Sequence, residues 1–377
     1  MKSDKYSAIL GNTIGYHDML SLTDSRPLAS LPFDGKYRLI DFQLSSLANA
    51  GIKSVYGIFR GQNIRSVFDH IRSGREWGLN TLLSHYFLGF YNTENDSKLG
   101  NKDYYEQIIT YLRRSGTDQT VYMSCDVLCN IDLLQVIHLH EINESKITVV
   151  YKKLPKTSIS ADNEILEIDE TDHVVGETQL NDVDELHKMS ADIYVVSTPW
   201  LIECLEKEAS KEQPRKIRYL LRELALDENA LAFEYTGYLS NICSVKSYYD
   251  ANMDMLDTQK FYSLLYSNQK VYTKIKNEEA TYFDEHSHIS NSQFSSGSII
   301  KGDVEHSIVS RNCRIDEDSH IGDSIIFPKV TVGSGASIQY AILDKNVTIA
   351  SGVKVHGSKE KPVVIAKGVE VLEDIIE

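Results

Sequence analysis

The chain has 377 residues and a formal net charge of −15; that length predicts two domains, and that charge argues against a nucleic-acid or anionic-membrane partner, since either favours a basic face. Its 42% apolar content supplies a full-sized core, while no run is long and apolar enough to span a bilayer and the N-terminus lacks the apolar stretch of a signal peptide. Five scattered cysteines do not form a disulfide framework; Cys125 and Cys129 lack a second pair or a histidine cluster, and read as structural thiols in a cytoplasmic protein.

Short apolar runs alternate with helical periodicity through the first two thirds, the pattern of an α/β domain. Residues 7–10 and 54–59 predict strands, and 63–72 a helix with Ile64, Val67, Phe68 and Ile71 on one face. Residues 103–112 predict a second helix, 120–123 a buried strand and 133–140 a third helix. Further strands are expected at 147–152, 192–196 and 231–235, separated by helices near 199–207 and 215–226. Ligands in such folds bind beyond the carboxyl ends of the strands.

The last third is a repeat. Apolar residues fall at Val304, Val309, Ile315, Ile321, Ile326, Val332, Ile338, Leu343, Ile349 and Val355, in steps of five or six that recur every 17 residues. Small or turn-forming residues lie between them, which is the signature of a left-handed parallel β-helix built from hexapeptides. The spacing breaks at 356–362 and resumes at Ile365 and Val371. Stacked coils leave an open strand edge at each end, to be covered by a terminal segment or by another chain.

Residues 31–42 read LPFDGKYRLIDF. They resemble the P-F-G-G-K-Y-R-L-I-D-F signature of ADP-glucose pyrophosphorylases, which in that family follows a phosphate loop, G-G-x-G-T-R-L, and the segments P-L-T and R-A-K-P. Against this pattern Leu22, Thr23 and Arg26 match. Thr13 and Ile14 stand at the paired glycines, Tyr16 at the third glycine, Asp18 at the arginine and Leu28 at the lysine. A triphosphate approaches bare backbone only where side chains are absent and φ is unrestricted, and a β-branched isoleucine resists that conformation. Asp18 also inverts the sign of a charge that would face phosphate.

The metal and sugar-phosphate motifs are altered too. Residues 100–103, GNKD, resemble the family's G-T-A-D, which places Asp103 on an aspartate that helps hold magnesium; as a helix N-cap Asp103 reads equally well. YMSCD at 122–126 resembles the strand end that carries a further aspartate, here Asp126. Residues 238–256, YLSNICSVKSYYDANMDML, resemble Y-W-x-D-V-G-T-I-x-A-Y-Y-x-A-N-M-D-L-L, with Asn241 at the metal-binding aspartate. A neutral amide substitutes poorly for a carboxylate on Mg²⁺. Ser190 to Val195, SADIYV, resembles the family's S-M-G-I-Y-V strand, and Gln179 stands nearest the place of the upstream lysine that grips glucose 1-phosphate.

The resemblance covers nearly the whole chain in the same order. It implies a Rossmann-like nucleotidyltransferase domain over 1–256, a connection over 257–292 and the β-helix over 293–377. With a loop, an arginine, a lysine and a metal carboxylate replaced, it implies a GlgD-type subunit, weakly active or inactive by itself. Such a subunit assembles with a catalytic GlgC-type chain, as a heterotetramer, which makes ADP-glucose from ATP and glucose 1-phosphate for bacterial glycogen. Arg26 and Asp126 are then remnants of the nucleotide site and Asp103 of the metal site. Mg²⁺ belongs to the catalytic partner, and no cofactor is expected here. Lys36, Arg38 and Arg60 are candidates to contact a phosphorylated sugar effector or an interface. Two other readings stand beside this one. The chain could be an active sugar-nucleotide pyrophosphorylase with a remodelled loop, which the retained Asp103 and Asp126 favour. It could also be a hexapeptide acyltransferase with His306, His320 or His356 as base.

Overall fold

A run such as Tyr6 to Leu10, buried at every position, suits only the interior of a sheet covered on both faces. The computed structural model, which describes residues 5–60, 64–80, 85–91, 99–160, 162–181 and 184–377, places it there. The expected helix start at Asn63 lies outside the described residues. Contacts divide the chain into two units. The first comprises Met1–Gly15, Ile40–Asn241 and Leu264–Tyr272; the second comprises Tyr16–Leu39, Ile242–Ser263 and Thr273–Glu377.

The first unit is a nine-stranded mixed sheet with helices on its faces. Its strands are β1 (Tyr6–Asn12), β2 (Ser54–Arg60), β3 (His85–Tyr91), β4 (Gln119–Ser124), β5 (Ile147–Leu154), β6 (Ile165–Ile168), β7 (Val174–Thr178), β8 (His187–Ser197) and β9 (Leu231–Glu234). The order β7-β6-β8-β4-β1-β2-β3 runs across the sheet, and β5 pairs with both β8 and β9. The parallel part is β4-β1-β2-β3, in register so that Gly11 of β1 lies beside Ser124 of β4. The helices are α1 (Leu39–Asn49), α2 (Arg65–Ile71), α3 (Lys102–Ser115), α4 (Leu133–Ile142), α5 (Thr198–Ala209) and α6 (Ile217–Asp227).

Most predicted elements are present, several of them longer. Strand β3, the hairpin β6–β7 and helix α1 were not expected. The hairpin is half exposed and mixes charged with apolar residues, so its periodicity is weak. One local reading is corrected. The N-cap of α3 is Asn101, whose side chain accepts from the Tyr104 N–H at 2.9 Å, and Asp103 sits inside the first turn. The helix stops at Gly116, in the left-handed conformation with φ 60°, as helices commonly do.

The second unit contains the parallel β-helix. Three sheets of six, six and five two- or three-residue strands form its sides. Register runs Val309↔Ile326↔Leu343↔Ile365 on one side and Ile315↔Val332↔Ile349↔Val371 on another. All ten apolar stations are buried in one core cluster, so the 17-residue period is one full coil. Stacking begins at Tyr282–Phe283. At one corner Asn312, Lys329, Asn346 and Gly368 all take positive φ, because the chain must turn there within a residue or two. Among the described residues no helix is long and apolar enough to cross a membrane.

Candidate functional site

In the first unit the carboxyl ends of β1 and β4 bring Gly11, Thr13 and Asp126 together, where an α/β sheet ordinarily holds its ligand. Here the space is filled from within. Arg218 of α6 is 2% exposed. Its Nη1 donates to Asp126 at 2.6 Å, and its Nη2 lies 2.5 Å from Asp192. Arg222, one turn further on, grips Asp192 with two bonds of 2.9 and 2.8 Å. Glu164 lies 4.0 Å from Arg222, and Ser124 donates to the other Asp126 oxygen. The cavity left among Gly11, Thr13, Ile14, Ser124, Asp126 and Arg218 is about 10 Å³, room for at most one water molecule.

The electrostatics of this lattice follow from burial and pairing. Burial opposes the charge on Asp192, but the two guanidinium groups outweigh it and hold the carboxyl below its usual range. For Glu164 burial wins, aided by the charge of Asp192, and its pKa rises to about 7. Asp192 keeps φ at 48°, a conformation that favours glycine. It stands at the glycine of the S-M-G-I-Y-V pattern that this strand resembles. Lys216, 1% exposed, donates its Nζ to the Thr13 carbonyl at 2.7 Å. Burial, reinforced by the charge of Arg60, brings Lys216 down to about 8.

The residues at the implied magnesium positions do not fit a metal site. Asp126 is committed to Arg218 and Ser124. Asn241 donates its Nδ2 to Asn163 at 2.8 Å, and its Oδ1 is buried without a partner. Asp103 lines a different groove, with Phe87 and Glu106, which shares no lining residue with the cavity at Asp126. Among the described residues no three His, Cys, Asp or Glu side chains converge as a metal would require. The cysteines are free, Cys125 and Cys129 both buried.

The remaining candidates of the 11–42 stretch belong to the second unit. Arg26, 8% exposed, forms a buried ion pair with Asp344 and lies over the Phe327 ring. Leu28 is buried, whereas Asp18 is exposed beside His17. Lys36 is exposed and lies over the Tyr37 ring. Arg38 donates to the Ser30 carbonyl at 3.2 Å and stands in the field of an unexpected basic cluster. There Lys276 is brought down to about 8 by burial and by Arg311, Lys274 and Arg38. Lys345 is lowered likewise, by burial and then by Lys329, Lys367, Arg311 and Arg38. Glu278, 3.4 Å from Arg311, offsets part of this charge. Arg60 is half-buried in the first unit, near Lys216, and Gln179 is exposed after β7. Of the three histidines, His306 meets Asp323 at 2.7 Å and His356 meets Ser337 at 2.8 Å, while His320 is exposed.

Reading by motif missed Lys216, Arg218, Arg222 and Asp192. A signal was present: Arg215, Lys216, Arg218 and Arg222 put four basic residues within eight positions of an acidic chain. Over residues 19–258 the sequence matches the nucleotidyl transferase family, and over 275–373 the GlmU-like C-terminal hexapeptide family. It is 28% identical over 370 residues to "Glycogen biosynthesis protein GlgD" of Bacillus subtilis, spanning 98% of this chain and 97% of that one. It is also 27% identical over 356 residues to "Glucose-1-phosphate adenylyltransferase" of Bacillus cereus and of Bacillus mycoides, spanning 92% and 94%. The mixed sheet, the hexapeptide β-helix that follows it in the sequence and these likenesses together make the chain a member of the nucleotidyl transferase family, with the architecture of an ADP-glucose pyrophosphorylase.

Proposed function

We propose that this chain is a non-catalytic, GlgD-type subunit that assembles with a catalytic GlgC-type chain and raises or tunes its synthesis of ADP-glucose from ATP and glucose 1-phosphate. The observation that supports this reading best is the Asp126–Arg218–Asp192–Arg222 lattice, which commits Asp126 to an arginine and leaves a cavity of only about 10 Å³ at the strand ends where such folds hold a ligand. Positioning and charge neutralisation make up most of nucleotidyl transfer. Losing one such donor costs on the order of 10²–10³ in rate, and here several positions have changed. In this reading residues 1–256 are the nucleotidyltransferase-like domain, 257–292 the connection, which from Tyr282 onward already pairs with the first coil, and 293–377 the β-helix. Mg²⁺ acts in the partner subunit, and the complex is a cytoplasmic heterotetramer.

Arg38, with Lys276, Arg311 and Lys345, is then the place for a phosphorylated sugar effector, since a cluster of one sign is stabilised by a multivalent anion. The test mixes the purified chain with a catalytic subunit and measures ADP-glucose formation with and without it. Co-elution and a higher rate, or a shifted effector response, are expected. A mixture that neither co-elutes nor changes in rate rejects the proposal. Likeness to the 27%-identical adenylyltransferases favours the catalytic alternative, and sustained synthesis by the isolated chain would establish that instead.

A further inference from the structure

The signature that residues 31–42 resemble carries two glycines after its phenylalanine; here the first of them is Asp34. Its φ is 50°, a conformation that favours glycine and strains a residue with a side chain. The side chain has no polar company. Asp34 is 7% exposed, and its Oδ1 is buried without a hydrogen-bond partner. It stands at the turn of a short hairpin, Pro32–Phe33 paired with Tyr37–Arg38, whose tip carries the exposed Lys36.

The second unit packs uncharged groups around this turn. From the helix Val245–Met253, Asn252 accepts the Asp34 N–H on its Oδ1 at 3.0 Å, and Tyr248 donates its hydroxyl to the Pro32 carbonyl. Burial pushes Tyr248 well above its usual range, so it stays neutral. From the β-helix, Ser295 donates to the Gly35 carbonyl at 2.8 Å, and Ile308 lies against the same residue. Lys36 is the charge that bears on Asp34, and it offsets burial only in part, which leaves the carboxyl at about 8. A carboxylate in these surroundings has no counter-ion beside it, and a buried charge without one is far costlier than a neutral acid. The bonds that seat the hairpin are few and neutral, and its tip already meets water. A small displacement therefore hydrates the acid.

We propose that Asp34 is a proton-operated latch: neutral, it lets the hairpin seat against the helix Val245–Met253 and the β-helix; ionised, it draws the turn out into water, and Lys36 and Arg38 move with it. The sign follows from the two forms. The seated turn keeps its proton up to about pH 8, whereas a hydrated one releases it above about pH 4. Between those values each pH unit favours the open turn by a further factor of about ten. What the latch controls rests on the reading of Arg38 as part of an effector site; the latch itself does not.

The experiment is hydrogen–deuterium exchange of the full chain from about pH 5 to 9, each rate divided by the intrinsic rate of its amide. In the wild type, protection of residues 33–39 should fall about tenfold per pH unit up to about pH 8 and then level off. In Asp34→Gly, which restores the glycine of the signature, protection should not change with pH. Lys36→Gln removes the partial offset, so the fall should continue to higher pH; an end point that does not move counts against Asp34 as the titrating group. A wild type without the slope, or a slope that Asp34→Gly retains, overturns the latch. So does a hairpin that exchanges no faster than the buried station Ile338, because the proton then acts on the whole fold. Sulfate, whose charge is constant over this range, should slow the hairpin's exchange by holding Arg38. Sulfate that does not bind removes the effector reading, while the two slopes still decide the latch.

Discussion

The ligand end of the α/β sheet and the corner of the β-helix both gather charge, and the signs are arranged differently. At the first, Asp126, Asp192 and Glu164 are threaded by Arg218 and Arg222 in a closed alternation that leaves almost no volume. At the second, burial and the surrounding cations Arg38, Arg311, Lys274, Lys329 and Lys367 lower the proton affinity of Lys276 and Lys345, with Glu278 as a partial counterweight. A buried lattice of alternating sign is a structural element. A cluster of one sign is electrostatically incomplete and draws an anion from solution. A count of charged residues would treat the two alike; burial and sign order separate them.

The comparison breaks first if the lattice is not structural. Arg218→Leu leaves Asp126 and part of Asp192 uncompensated, and urea unfolding should show a loss of about 3–5 kcal/mol. A loss under about 1 kcal/mol would mean that water already fills the site. Truncating the β-helix core by Ile338→Ala, at a fully buried station, should cost about 2–4 kcal/mol. That gives a purely apolar benchmark for the same chain.

A third prediction concerns pH. Asp34 is buried with one oxygen lacking a partner, and burial, only partly opposed by Lys36, raises its pKa to about 8. The folded state then holds a proton that the unfolded state releases above about pH 4, so stability is highest at low pH and falls as pH rises towards 8. Glu164 acts in the same direction up to about pH 7. Asp34→Asn should flatten this slope and gain on the order of 2 kcal/mol at pH 8.5. An unchanged profile would count against a buried, protonated Asp34. The smallest effect sharpens the other half of the comparison. Pyrophosphate at about ten times its dissociation constant should raise Tm by roughly 2–4 °C, and Lys276→Ala with Arg311→Ala should abolish the rise.

Much of the architecture was legible in the sequence because periodicity reports local geometry. The ten apolar stations from Val304 to Val355 predicted the β-helix, since one residue per face must point inward in every coil. The uncharged run of β1 and the helical patterns around α3 and α4 were legible for the same reason. The altered loop was legible as well, because Ile14 and Tyr16 cannot stand in for glycine. Arg26 reads in the sequence as a remnant of the nucleotide site, and the structure pairs it with Asp344, more than three hundred positions away in sequence. Spacing along a chain carries no information about such a partner.

By itself, then, the sequence determined the order of the two architectures, the coil period and the loss of a glycine loop, Asn241 included, because each is a property of neighbouring residues. Tertiary structure alone decided what stands at the carboxyl ends of β1 and β4. Asp126, Asp192 and Arg218 come from three distant segments, and whether they repel, bind metal or pair depends on angstrom-scale distances that only the packed sheet and α6 set.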